Sequence, residues 1–188
     1  MMELCIRNLS KSYDGRAVLE NVSFTAPVGL TRIAGNSGIG KTTLLRILLG
    51  LERADGGEVA PKNLRWAAVF QEDRLLEGLD AEGNLRFVLG AAYDDSQAKT
   101  LLGALGLGDV GGKKACDYSG GMKRRLALAR ALLAPCDALA LDEPFTGLDR
   151  ASRDAALRAV LRAAEEKIVL LAAHETLALP THCGEVKL

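Results

Sequence analysis

The chain has 188 residues, with 24 Lys and Arg balancing 24 Asp and Glu, and is 48% hydrophobic, 26% charged and 4% aromatic. A chain of this length can bury roughly 70% of its unfolded surface in one domain. Its composition excludes a disordered chain, and its zero net charge argues against a basic surface for direct nucleic-acid binding. The longest apolar stretches, such as 168–173, fall far short of the about 20 residues of a membrane-spanning helix. The N-terminus lacks the basic and apolar regions of a secretory signal. Cys5, Cys116, Cys136 and Cys183 are scattered without CxxC spacing, which suits a reducing cytoplasm better than a disulfide framework or a zinc site.

In chain order, short apolar runs predict strands over 4–9, 22–26, 30–34, 57–59, 66–70, 137–141, 167–172 and 185–188. Helical patterns fall over 41–49, 81–89, 96–105, 120–133 and 151–166. Ala138–Leu141 and Ile168–Leu171 are apolar without alternation, as in strands covered by helices on both faces of a parallel sheet. The segment 72–114 contains no convincing strand and reads as a helical insertion. The expected fold class is α/β.

After the strand ending at Ala34 comes Gly35-Asn36-Ser37-Gly38-Ile39-Gly40-Lys41-Thr42-Thr43, followed by an apolar helix. This satisfies G-x-x-x-x-G-K-[ST] in the strand–loop–helix context that the motif requires. Glycines let the backbone turn tightly and aim N–H groups at an anion, and the helix dipole adds positive potential at the same point. Lys41 would neutralise β- and γ-phosphate charge, and the Thr42 hydroxyl would ligate Mg²⁺. The expectation is a nucleoside triphosphate site, against the alternative of a turn that binds nothing.

Further on, the run Asp137–Leu141 ends in Asp142-Glu143-Pro144. Ligands of parallel α/β sheets lie beyond the carboxyl ends of the strands, so this strand would deliver two carboxylates to the triphosphate. Asp142 suits the Mg²⁺ shell, and Glu143 suits polarisation of the attacking water. Taken alone, the same residues could be an acidic turn before a proline.

With these residues in view, the chain resembles the nucleotide-binding subunits of ABC transporters over nearly its whole length. Tyr118-Ser119-Gly120-Gly121-Met122 is similar to the family signature LSGGQ, with Ser119 23 residues before Asp142. Phe145-Thr146-Gly147-Leu148-Asp149 resembles the D-loop, His174 the switch histidine, Gln71 the Q-loop glutamine and Tyr13 the aromatic that stacks on adenine. The resemblance implies one ATPase domain over 1–188, with 1–71 and 115–188 forming a parallel-sheet core with a small antiparallel subdomain, and 72–114 a helical subdomain. It implies ATP and Mg²⁺ as cofactors, with Gln71 reaching both metal and water, and His174 holding the γ-phosphate, Glu143 and the water. Ser119 would cap its helix and, with Gly120 and Gly121, complete the nucleotide site of a second ATPase subunit, identical or paralogous, in a head-to-tail dimer.

The implied location is the cytoplasmic face of a membrane, beside an integral permease and an extracytoplasmic solute-binding protein. The run 69–76 resembles importers of the nitrate, sulfonate and taurine branch, which favours uptake of a small solute. Export, lipid handling and non-transport ABC functions are the alternatives. Lys123-Arg124-Arg125 either reinforces the field of the signature helix or forms a solvated face. Leu75, Leu76 and Leu79 either receive a partner helix or pack the subdomain, and Tyr13 either stacks on adenine or packs a strand end.

The chain departs from the family pattern at Tyr118 and Met122 of the signature. Gly83 is expected to weaken its helix by about 1 kcal/mol relative to alanine. Only 30 residues separate Lys41 from Gln71, and 14 follow His174, so the expectation is a minimal subunit without a regulatory C-terminal domain.

Overall fold

The computed structural model describes residues 2–173, 179–181 and 183–188. Two sheets organise the chain: an antiparallel one of order β2-β1-β4 and a five-stranded one of order β5-β6-β7-β3-β8. β1 (Glu3–Tyr13), β2 (Arg16–Pro27) and β4 (Gly56–Ala60) form the first, and β3 (Gly29–Ala34), β5 (Trp66–Val69), β6 (Ala138–Asp142), β7 (Ile168–Ala172) and β8 (Gly184–Lys187) the second. Every pairing in the five-stranded sheet is parallel.

β6 and β7 are buried at every residue, as their unbroken apolar runs predict. Alternate side chains serve opposite faces. Leu139, Leu141, Val169 and Leu171 join the core beneath the later helices. Ala138, Ala140, Ile168 and Leu170 pack instead with Leu4, Ile6 and Leu9 of β1 and Leu44, Leu45 and Leu48 of α1 (Lys41–Leu48). Truncating such a leucine to alanine costs about 2–5 kcal/mol, so the sheet that carries the functional loops is anchored from both sides.

β2 begins six residues earlier than the apolar pattern suggests. Asp14 and Gly15, at φ 49 and 78, close a two-residue turn with Tyr13 opposite Arg16, the left-handed pair that matches strand twist. Between 72 and 114 lie α2 (Ala81–Leu89) and α3 (Asp95–Ala104). Both pack on α4 (Gly120–Leu133), which also contacts β5 and α5 (Arg150–Ala164). Asn84, fully buried in α2, holds the preceding loop: its Oδ1 accepts from Leu76 N–H at 2.8 Å, and its Nδ2 donates to Leu76 O at 3.0 Å and Asp80 O at 2.9 Å.

Gly83 turns out to serve the cap of α2 rather than merely weaken the helix. Its N–H donates to Asp80 Oδ1 at 2.8 Å, and a Cβ there would lie 3.1 Å from both that oxygen and Leu79 Cβ. Among the described residues, no helix is long and apolar enough to cross a membrane.

Candidate functional site: a nucleotide-binding edge

β3 delivers the chain into an exposed loop over 35–39, after which α1 begins under Gly40. Gly40 has φ 113, and a Cβ on it would lie 2.9 Å from Val18 O and 2.9 Å from Leu19 Cδ2 of β2. No other residue satisfies both the left-handed backbone and that close approach. Gly35, at φ 154, has Ile39 Cγ2 only 2.8 Å from its would-be Cβ, so the loop folds tightly on itself.

Gly40 also supplies no side-chain cap to α1, which leaves N–H groups at the helix start to serve an anion. Lys41 is buried, and its ammonium donates to Gly35 O at 2.7 Å and Asn36 O at 2.8 Å, drawing the loop around a positive charge. Asn36, Ser37, Gly38 and Ile39 are exposed on the loop and Thr43 is half-buried in the first turn of α1.

β7 lies between β3 and β6, and all three are parallel, so their carboxyl ends share one edge of the sheet. That geometry brings together residues 100 positions apart: the Thr42 hydroxyl donates to Asp142 Oδ2 at 2.7 Å. Asp142 is 1% exposed. A hydroxyl and a carboxylate in contact at the mouth of a phosphate loop fit a hydrated Mg²⁺, which takes few protein oxygens and completes its shell with waters and phosphates.

Among the described residues of this edge, Glu143 is the one with a left-handed backbone outside glycine, at φ 50. Such strain persists where neighbours hold it. Its N–H donates to Ala172 O at 2.8 Å, its carbonyl accepts from Thr146 N–H at 3.2 Å, and the Thr146 hydroxyl donates to its Oε2 at 3.4 Å. Thr146 is thus a holder of the carboxylate that the motif reading passed over, although its place three residues on is visible in the sequence.

The remaining expected residues are more dispersed. Tyr13 is 41% exposed at the β1–β2 turn, with the Lys11 ammonium 5.0 Å from its ring centroid. Ser119 caps α4 as expected, accepting from Met122 N–H at 3.3 Å. Ser119 and Gly120 are exposed, while a Cβ on Gly121 would lie 3.6 Å from Gly147 O and from Leu148 Cδ2. The start of α4 therefore abuts the segment that follows Glu143.

Tyr118 is buried, and its hydroxyl has no hydrogen-bond partner among the described residues. Asp149 caps α5, accepting from Ser152 N–H at 2.8 Å and its hydroxyl at 2.9 Å, and these bonds hold its carboxyl below the ordinary carboxylate value. His174 lies outside the described residues.

Gln71 is exposed, and its backbone carbonyl accepts from the Arg124 guanidinium. Here the structure departs from both readings of the basic run 123–125. Arg124 is buried and also donates to Phe70 O at 2.5 Å. Arg125 donates to Leu105 O at 2.8 Å, and Lys123 pairs with the exposed Glu77 at 3.2 Å. Arg130, further along α4, donates to Asp73 O at 3.0 Å and Arg74 O at 2.9 Å. These cations bind backbone carbonyls and a carboxylate of their own chain, which a helical-face pattern does not reveal because the acceptors of Arg124 and Arg130 lie 53–57 residues away and those of Arg125 and Lys123 lie 20 and 46.

Burial raises the Asp73 carboxyl above its ordinary value even though Arg124 Nη1 is 3.2 Å away. That guanidinium directs its protons to Phe70 O and Gln71 O, so the carboxylate gains its field without a hydrogen bond.

An uncapped helix start bounded by glycines, set against the end of a nearby parallel strand that carries a magnesium-type carboxylate, is the phosphate-binding edge of a P-loop nucleoside triphosphatase. The ABC transporter family matches residues 19–146. The aliphatic sulfonates import ATP-binding protein of Paracoccus denitrificans is 37% identical over 180 residues, covering 92% of this chain and 73% of that protein. A protein of the same name from Rhizobium johnstonii is 38% identical over 165 residues, covering 80% of this chain and 59% of its own length. A solved ABC transporter ATP-binding protein from Pyrococcus furiosus superposes with a TM-score of 0.86 at 26% identity, covering 99% of this chain and 97% of that one. The chain belongs to the ABC transporter family and is an ATP-binding domain of its ATPase type.

Proposed function

We propose that this chain hydrolyses ATP to energise uptake of a small solute through a separate membrane-spanning permease. The observation that carries the reading is the Thr42–Asp142 contact at the start of an uncapped α1. The loop 35–43 binds the triphosphate through its N–H groups and Lys41. Thr42, Asp142 and Gln71 hold Mg²⁺, which when bound neutralises charge on the β- and γ-phosphates. Glu143 accepts a proton from the water that attacks the γ-phosphorus; the bond to the bridging oxygen breaks, releasing ADP and phosphate. His174 orients the γ-phosphate and that water, a role resting on its place in the motif order. Tyr13 stacks on adenine.

The start of α4 (Ser119, Gly120, Gly121) and Asp149 serve a second ATPase subunit, identical or paralogous, across a dimer. The assembly sits on the cytoplasmic face of the membrane and works with an extracytoplasmic solute-binding protein. The names of the relatives make an aliphatic sulfonate the first solute to test.

The test pairs ATP hydrolysis by the purified chain with recovery of its membrane partners in mild detergent. Glu143→Gln should bind ATP and lose turnover; unchanged hydrolysis overturns the role of Glu143. Recovery of a permease together with a solute-binding protein supports uptake, whereas a permease alone points to export or lipid handling.

A further inference from the structure

Helix α4 grips the segment after β5 at four carbonyls. Arg124 takes Phe70 O and Gln71 O, and Arg130 takes Asp73 O and Arg74 O. Arg74 adopts a left-handed backbone at φ 46 within this turn. Of the two arginines, Arg124 lies nearer the signature: it is one helical turn beyond Ser119 and Gly120. It is buried, and its two terminal nitrogens bind consecutive carbonyls, a fork that lysine cannot reproduce. The Gln71 backbone is thereby held by the helix whose start carries the signature, while Gln71 itself remains exposed.

We infer that Arg124 is a positioning residue that fixes Gln71 to the signature helix, so that a displacement of the start of α4 reaches the metal- and water-facing amide of Gln71. The inference rests on the role proposed for Gln71. A guanidinium with two charge-assisted bonds is a stiff link, and a small misplacement of an orienting group is costly in turnover. Nucleotide binding by the phosphate loop does not pass through this contact.

The experiment measures kcat, KM for Mg-ATP, the Mg²⁺ concentration for half-maximal activity and the melting temperature in the full chain and four variants: Arg124→Ala, Arg124→Lys, Gln71→Ala and the Arg124→Ala/Gln71→Ala double. Arg124→Ala should lower kcat about tenfold and raise the Mg²⁺ requirement, with KM changed less than about twofold. Arg124→Lys keeps a cation beside Asp73, which guards against unfolding, and should fall between wild type and alanine. In the Gln71→Ala background the Arg124 substitution should change kcat less than about twofold, the non-additivity of two residues that act as a unit.

A lowered melting temperature with kcat and Mg²⁺ requirement unchanged in Arg124→Ala overturns the inference, as do effects that multiply fully in the double variant. If Gln71→Ala alone leaves turnover and Mg²⁺ requirement intact, the reading of Gln71 fails first and takes the inference with it.

Discussion

Of the five α-helices among the described residues, four begin on a side chain that accepts from their own first turn: Asp80, Asp94, Ser119 and Asp149. Helix α1 begins on Gly40 and has no such acceptor. The two kinds of start share the same orphan N–H groups and the same dipole, so the difference lies in where those groups are directed. In α2, α3 and α5 a carboxylate of the same chain satisfies part of the demand, and the cap stabilises the helix locally. In α1 the demand is left for a phosphate, and Lys41, drawn onto Gly35 O and Asn36 O, holds the loop in shape. Helix α4 is intermediate: a neutral serine caps it, yet Gly120 keeps its start exposed.

The strongest way to break this comparison is to remove the charge from the uncapped start. Lys41→Ala should lower ATP affinity by about a hundredfold or more, since a buried charge-assisted contact to phosphate is lost; calorimetric titration with Mg-ATP checks it. A capped start behaves differently. Asp94→Ala should cost about 1 kcal/mol of stability, a fall in melting temperature of about 2–4 °C, with KM for ATP unchanged. Ser119→Ala should show a similar thermal loss, and in addition a fall in turnover under conditions where the subunits pair. A thermal loss without that fall would make α4 an ordinary capped helix.

A smaller effect concerns the strand that carries Asp142. At its start Asp137 accepts from Arg65 Nε at 3.0 Å, Nη2 at 2.7 Å and the Arg65 backbone N–H at 2.9 Å, which together hold its carboxyl down to about 2. Because the folded value lies below the unfolded one of about 3.9, the stabilisation is complete above that pH and is lost as pH falls through about 2. Acid unfolding of Asp137→Asn should therefore depend on pH less steeply than that of the wild type in that window. The smallest effect is expected at Gly83. Alanine gains about 1 kcal/mol in an open helix, but here its Cβ crowds the Asp80 cap, so Gly83→Ala should change the melting temperature little.

The sequence by itself determined the parallel sheet and the nucleotide edge, because both are local patterns. Fully apolar runs can be covered only on two faces, and G-x-x-x-x-G-K-T needs only a strand before it and a helix after. The Asp142–Glu143 pair was legible for the same reason, and so was the Ser119 cap. The Asp14-Gly15 turn is a local signal too, but the apolar pattern passes over it and so places the start of β2 too late.

What only the tertiary structure decided are the contacts between distant positions and the backbone states they enforce. Thr42 meets Asp142 because β7 seats β3 and β6 in one register. Glu143 is held left-handed by Ala172 and Thr146. The run containing Arg124 reads either as a reinforcement of the helix-start field or as a solvated face, and Arg130 belongs to no motif, yet the fold turns both onto carbonyls more than fifty residues away. A guanidinium carries no local signature of its acceptor, so its partner is set by which loop the packing of α4 on β5 brings within reach.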